Sequence, residues 1–247
     1  MKGPPVFRGS FLLYLYPVQH LILLHGAIGH KKQLQPLAAL LEEHYTVHNL
    51  NFSGHGGEAP PENDFSIELF AGEVLQYMND NNITAASFFG YSMGGYVAMY
   101  LSCHFPDRVA KVITLATKYY WDVEVAAKEC KMLDANKIEE KLPSFAQYLQ
   151  QGHAPNDWKT VLSQTRDMLT KMGADNPLKQ DDYPLIEIPV LLLLGDRDKM
   201  VTLDETINVY RSLPQARMGM LPNTAHPIEQ VNPNMLSFHI NSFLKRL

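Results

Sequence analysis

Basic charge is not in excess in this chain. Its 21 Lys and Arg stand against 26 Asp and Glu, a formal net charge of −5. That balance offers no broad cationic face, so nucleic acid is not an expected partner. Cysteine is scarce: Cys103 and Cys130 are the only two in 247 residues. Two cysteines make no disulfide framework, which fits a reducing, cytoplasmic setting. No apolar run approaches the roughly 20 residues of a membrane span. Lys2 and Arg8 precede Phe11-Leu12-Leu13-Tyr14-Leu15. That run is short and lacks a small-residue cleavage site, so no export signal is expected there. Metal-ligand spacings such as H-E-x-x-H are missing, and neither Gly54-His55-Gly56-Gly57 nor Gly26-Ala27-Ile28-Gly29 has phosphate-loop or dinucleotide spacing. Neither a metal nor a cofactor is expected.

What the chain does have is 46% hydrophobic content, enough for one large core. The apolar residues fall in short runs separated by helical patterns. His20-Leu21-Ile22-Leu23-Leu24 is continuous, as in a strand buried on both faces of a parallel sheet. Similar strands are read at 45–50, 85–89, 109–116, 189–194 and 218–221, with a further one at Phe11–Tyr16 ended by Pro17. Helices are read between them: through Leu34, Leu37, Leu40 and Leu41, over 66–79 with Ser66 as cap, from Gly95 onward, over 203–212, and over 236–247. Strands alternating with helices predict an α/β fold: a mostly parallel central sheet with helices on both faces. From 119 to 183 the strands stop and helical segments take over, punctuated by Pro143, Pro155 and Pro177. The expected organisation is a core made of 1–118 and 184–247, with 119–183 as a helical cap over the carboxyl ends of the strands.

Gly90-Tyr91-Ser92-Met93-Gly94 stands where a strand passes into a helix. Glycines two before and two after a serine, at a strand-to-helix turn, form the nucleophile-elbow pattern. A turn that tight leaves no room for Cβ atoms at the glycine positions, and the serine is expected to take a strained backbone conformation. The strain lifts its hydroxyl out of the sheet and aims the N–H groups of the helix start at the same spot.

A serine hydroxyl is a weak nucleophile until a base removes its proton. Two later features fall at strand ends. Gly195-Asp196-Arg197-Asp198 follows the strand at 190–194, and His226 follows the last strand. The chain order of serine, acid and histidine is that of the open-sheet hydrolases. Asp196 and Asp122 are rival acids, and His25 and His55 lie near the same mouth among ten histidines. Asp196 is expected to shape its turn, His25 to order the loop after the first strand, and His55 to be structural or at the rim.

On these motifs, with His25-Gly26 and Gly54-His55-Gly56 in order before them, the chain resembles the α/β-hydrolase-fold superfamily from His20 onward. It is most like the small serine hydrolases with a helical cap. The resemblance implies Ser92 as nucleophile, Asp198 as acid and His226 as base. The backbone N–H groups of Ala27 and Met93 would form the oxyanion hole. It departs from the pattern at Asn51, where an aspartate is usual, and at Ala225, where a glycine is common. One edge strand is expected to be short or missing. The activity implied is cleavage of a small-molecule carboxylic ester or thioester through an acyl-enzyme, by a monomer or homodimer. Carbon–carbon cleavage or lyase chemistry with the same groups is an alternative, and a ligand receptor on a hydrolase scaffold is another. A serine in place of an aspartate disfavours the dehalogenase and epoxide-hydrolase reactions of this fold. The cap residues Tyr119, Tyr120, Trp121, Met132, Phe145, Trp158, Met168 and Met172 are assigned chiefly to packing, with a few over the pocket. Lys118, Lys128, Lys131 and Arg166 are assigned to solvated faces.

Overall fold

The computed structural model describes residues 19–245. The expected strand at Phe11–Tyr16 and the end of the last helix lie outside that range. Among the described residues six strands form one sheet: β1 (His20–Leu24), β2 (Thr46–Leu50), β3 (Ala86–Tyr91), β4 (Val109–Leu115), β5 (Val190–Gly195) and β6 (Ala216–Leu221). Their order is β2-β1-β3-β4-β5-β6. Every pairing is parallel, with Leu24 opposite Gly90, Leu115 opposite Leu193 and Gly195 opposite Leu221.

Side chains alternate across the sheet, and the core divides accordingly. Ile22, Leu24, Phe88, Val112, Val190 and Leu192 face one layer. It holds α2 (Ile67–Asp80), α3 (Met93–His104) and α8 (Leu203–Ser212). Leu21, Leu23, Phe89, Ile113, Leu191 and Leu193 face the other, against α1 (Gln35–Leu41) and α9 (Pro233–Leu244). The expected helices on both faces are therefore present. The chain leaves β1 toward β2 on one side and later returns as β3 on the other. The crevice at such a reversal, outside the carboxyl ends of the strands, is where open sheets of this kind bind ligands.

Between β4 and β5 come four helices and no strand: α4 (Val123–Cys130), α5 (Ala135–Lys141), α6 (Pro143–His153) and α7 (Trp158–Ala174). Asp122, Asp134 and Asp157 start α4, α5 and α7 by accepting backbone N–H groups with their carboxylates. The sequence pattern marks three segments here. It does not mark α5, a short helix between its aspartate cap and Pro143. Val161, Met168, Leu169 and Met172 of α7 join the main core, while Ile138, Ala146, Leu149, Trp158 and Leu162 form a small cluster of their own. Among the described residues no helix is long and apolar enough to cross a membrane.

Candidate active site

Ser92 sits between β3 and α3 with φ 51° and ψ −116°, the strained conformation expected of it. The glycines act as the turn requires. A Cβ on Gly90 would lie 2.4 Å from the Gly94 backbone, and one on Gly94 would lie 2.3 Å from the Leu24 carbonyl oxygen. β4 pins the turn from the side: the Ser92 N–H donates to the Leu115 carbonyl at 2.8 Å, and Thr117 Oγ1 donates to the Ser92 carbonyl at 3.0 Å.

Asp198 and His226 arrive from the loops after β5 and β6. His226 Nδ1 donates to Asp198 Oδ2 at 2.8 Å. The other carboxylate oxygen accepts the N–H groups of Met200 and Val201 at 2.8 and 2.9 Å. The Asp198 side chain is 1% exposed. Burial alone would raise its pKa, but the bonds from His226, Val201 and Met200 outweigh it and hold the carboxyl below its ordinary value. Asp196 instead accepts the Thr224 N–H at 3.0 Å, shaping the turn as expected. Asp122 is the cap of α4. His226 is fixed from a second direction by Tyr91, whose hydroxyl donates to the His226 carbonyl at 3.0 Å.

Ser92, Met93, Ala27 and His226 all line one cavity of about 300 Å³ under the helices that follow β4. Ser92 Oγ makes no hydrogen bond to His226 in this structure. Bonds of that kind commonly tighten only when the reacting groups are brought together. Met93 opens α3, so its N–H has no intrahelical acceptor. The loop carrying Ala27 is held by His25. That buried ring donates from Nδ1 to the Gly26 carbonyl at 2.8 Å and accepts the Phe52 N–H at 3.2 Å. His55 is fully buried, which makes it structural and not a rim residue. Asn51 accepts the Lys31 N–H at 2.7 Å and folds its own loop against Gly56 and Glu58.

Of the eight Met and aromatic residues assigned chiefly to packing with a few over the pocket, five line the cavity: Trp121, Met132, Phe145, Met168 and Met172, the last two while also packing in the core. Lys118 also lines it and is mostly buried, not on a solvated face. Tyr91 and Lys118 line the cavity, a place the sequence reading gave to neither. Only the position of Tyr91, next to the serine, could have signalled its place. A hydroxyl, an imidazole backed by a carboxylate, and unpaired N–H groups around one apolar cavity can together carry nucleophilic acyl transfer. Among the described residues no cluster of His, Cys, Asp and Glu could hold a metal ion.

Comparison with known proteins agrees with this fold. The family model described as "alpha/beta hydrolase fold" matches residues 19–152. The chain is 26% identical over 229 residues to the pimeloyl-[acyl-carrier protein] methyl ester esterase of Neisseria meningitidis, covering 85% of this chain and 87% of that one. It is 20% identical over 243 residues to the 2-(acetamidomethylene)succinate hydrolase of Mesorhizobium japonicum, covering 91% and 87%. The crystal structure of the enol-lactonase from Burkholderia xenovorans superposes with a TM-score of 0.74 at 21% identity, over 93% of this chain and 92% of that one. With its all-parallel sheet, its strained serine turn and the family match over more than half its length, the chain belongs to the alpha/beta hydrolase fold family.

Proposed function

We propose that this protein is a serine hydrolase that cleaves carboxylic esters of small molecules through an acyl-enzyme on Ser92. The observation that carries the reading is the His226–Asp198 hydrogen bond at the mouth of the cavity that Ser92 lines. In this reading His226 takes the Ser92 proton as Oγ attacks the ester carbonyl. It then gives that proton to the departing alkoxide, and water repeats the cycle to release the acid. Asp198 keeps the imidazole in the tautomer with Nδ1 protonated and stabilises the cation. The N–H groups of Ala27 and Met93 take the oxyanion, a role in which losing one donor typically lowers the rate about 10²–10³-fold. The helices within 119–183 serve as the lid. The relative from Neisseria meningitidis is named for a methyl ester, which supports ester cleavage over the alternatives. The Mesorhizobium relative, named for a hydrolase acting on a succinate derivative, keeps the carbon–carbon hydrolase or lyase alternative as the second reading.

The test is turnover of short p-nitrophenyl esters by wild type and Ser92→Ala, with fluorophosphonate labelling of both. A drop on the order of 10⁶ is expected from serine triads of this kind, with label on wild type alone. Equal turnover by the two proteins would sink the assignment.

A further inference from the structure

Ester cleavage gives no role to the one lysine in the cavity wall. Lys118 follows β4, and its side chain is 13% exposed. Its ammonium lies 3.8 Å from Glu129 Oε1 and 3.6 Å from Glu205 Oε2, and those side chains are 8% and 10% exposed. Glu129 belongs to α4 and Glu205 to α8, so the cluster joins cap to core. Glu205 is not free to turn away. Its carboxylate accepts the N–H of Tyr119 and that of Thr202, both at 3.1 Å. Lys118 and Glu129 face the cavity, and Glu229 lines it too, accepting from Gln33 Nε2 at 2.7 Å and from the Tyr148 hydroxyl at 2.8 Å.

The charge count of this wall is one-sided. A single ammonium is shared between two carboxylates, a third carboxylate stands in the same cavity, and no arginine lines it. Most of the remaining wall is apolar, with Met132, Leu133, Phe145, Leu149, Met168 and Met172, while Gln33, Tyr148 and Thr165 add uncharged polar groups. A buried cation selects a ligand carboxylate only while it has charge to offer. Here an anionic ligand would have to displace Glu129 or sit beside it, and like charges repel strongly in a desolvated site.

We infer that the cavity selects esters whose acyl group is uncharged and apolar and rejects those carrying a carboxylate, with Glu129 enforcing the rejection by its own charge and, together with Glu205, by neutralising Lys118. This rests on the ester-hydrolase reading and specifies its substrate class. Discrimination then has a repulsive component as well as an attractive one.

The experiment compares kcat/KM for p-nitrophenyl hexanoate and mono-p-nitrophenyl adipate at neutral pH. The two acyl groups have the same number of carbons, and one ends in a methyl and the other in a carboxylate. Wild type is expected to favour the hexanoate by ~10²-fold or more, the scale of a like-charge penalty. In Glu129→Gln, which keeps the shape, removes the negative charge facing the cavity and leaves Lys118 to Glu205 alone, the gap is expected to narrow by at least about tenfold through faster turnover of the adipate. Equal efficiency on the two esters in wild type would overturn the inference, whether or not the variant folds. So would an unchanged gap in a Glu129→Gln protein that melts like wild type. Turnover of neither ester, with Ser92 unlabelled, would take down the ester-hydrolase reading as well. Equal turnover of both removes this inference alone.

Discussion

His153, at the end of α6, donates from Nε2 to the carbonyl oxygen of Ile28, 2.9 Å away. Its Nδ1 accepts the Gly56 N–H at 3.1 Å. A carbonyl can only accept and an N–H can only donate, so the two bonds fix one neutral tautomer. Ile28 follows Ala27 directly and holds a positive φ of 51°. One imidazole from the cap thus clamps the loop that carries a candidate oxyanion donor.

Removing that clamp is expected to show in rate as well as in stability. His153→Ala leaves the Ile28 carbonyl and the Gly56 N–H without partners, which should lower stability by about 1–3 kcal/mol. Relaxation of the Ala27 loop should lower kcat by about 10–10²-fold, the scale of a misplaced reacting group. His153→Gln, whose amide can donate to one partner and accept from the other, should recover part of both. Steady-state kinetics beside urea denaturation separate the effects, and a stability loss with kcat intact would make the clamp purely structural.

The two aspartates of the β5 loop should separate cleanly. Asp198→Asn should reduce kcat by about 10⁴-fold, as loss of the orienting acid does in serine proteases. Asp196→Asn keeps an acceptor for the Thr224 N–H and should stay within a few-fold of wild type. Matching thermal melts with this contrast in kcat would fix the acid; the reverse contrast would exchange their roles.

Two glycines on neighbouring helices should respond to alanine with opposite signs. Gly72 lies inside α2, and a methyl group added there would meet nothing within 4 Å, so Gly72→Ala should stabilise by about 0.5–1 kcal/mol. A Cβ on Gly94 would press on the Leu24 and His25 carbonyls at 2.3 and 2.6 Å. Gly94→Ala should therefore lose about 3 kcal/mol or more, because backbone must move to admit it. Denaturant midpoints measure both.

Acid should loosen the seat of the cap. Burial lowers the pKa of His25, His30, His55 and His153, with neighbouring imidazoles adding to it at the first three, and brings His55 to about 3. An imidazole kept neutral in the native state takes up its proton more readily when unfolded. Its contribution is therefore full above the unfolded value near 6.5 and is lost as the pH falls toward the native one. For His55 that window runs from about 6.5 to 3, with a slope of about 1.4 kcal/mol per pH unit. His55 Nε2 has no hydrogen-bond partner, so an added proton there would meet no acceptor. Urea denaturation at several pH values should show this decline, and His55→Phe, which keeps the ring stacked on Phe65, should flatten it. An equal slope in the variant would assign the acid sensitivity elsewhere.

The parts of the site written in short stretches were legible from sequence. The elbow around Ser92 announces itself because its glycines answer to backbone crowding within a few residues. The strands were legible because burial on both faces leaves continuous apolar runs such as Leu21–Leu24. The rest depends on partners that only folding brings together. Lys118 looked like a surface charge because Glu129 and Glu205 come to it from two different helices. His153 carries no local mark of its contact with Ile28 across the cap boundary. The methionines of α7 read as packing because cavity wall and core present the same apolar spacing, and α5 is too short to show a period.

The seating of β5 and β6 on β4 bears on how this protein is made. Translation delivers β3 and Ser92 first, while Asp198 and His226 come only with the last two strands. A growing polypeptide thus exposes the Ser92 hydroxyl before its proposed base exists, even where its earlier parts have already folded. On the proposed roles, the protein is chemically silent until its final strand docks, and no partial translation product can acylate itself.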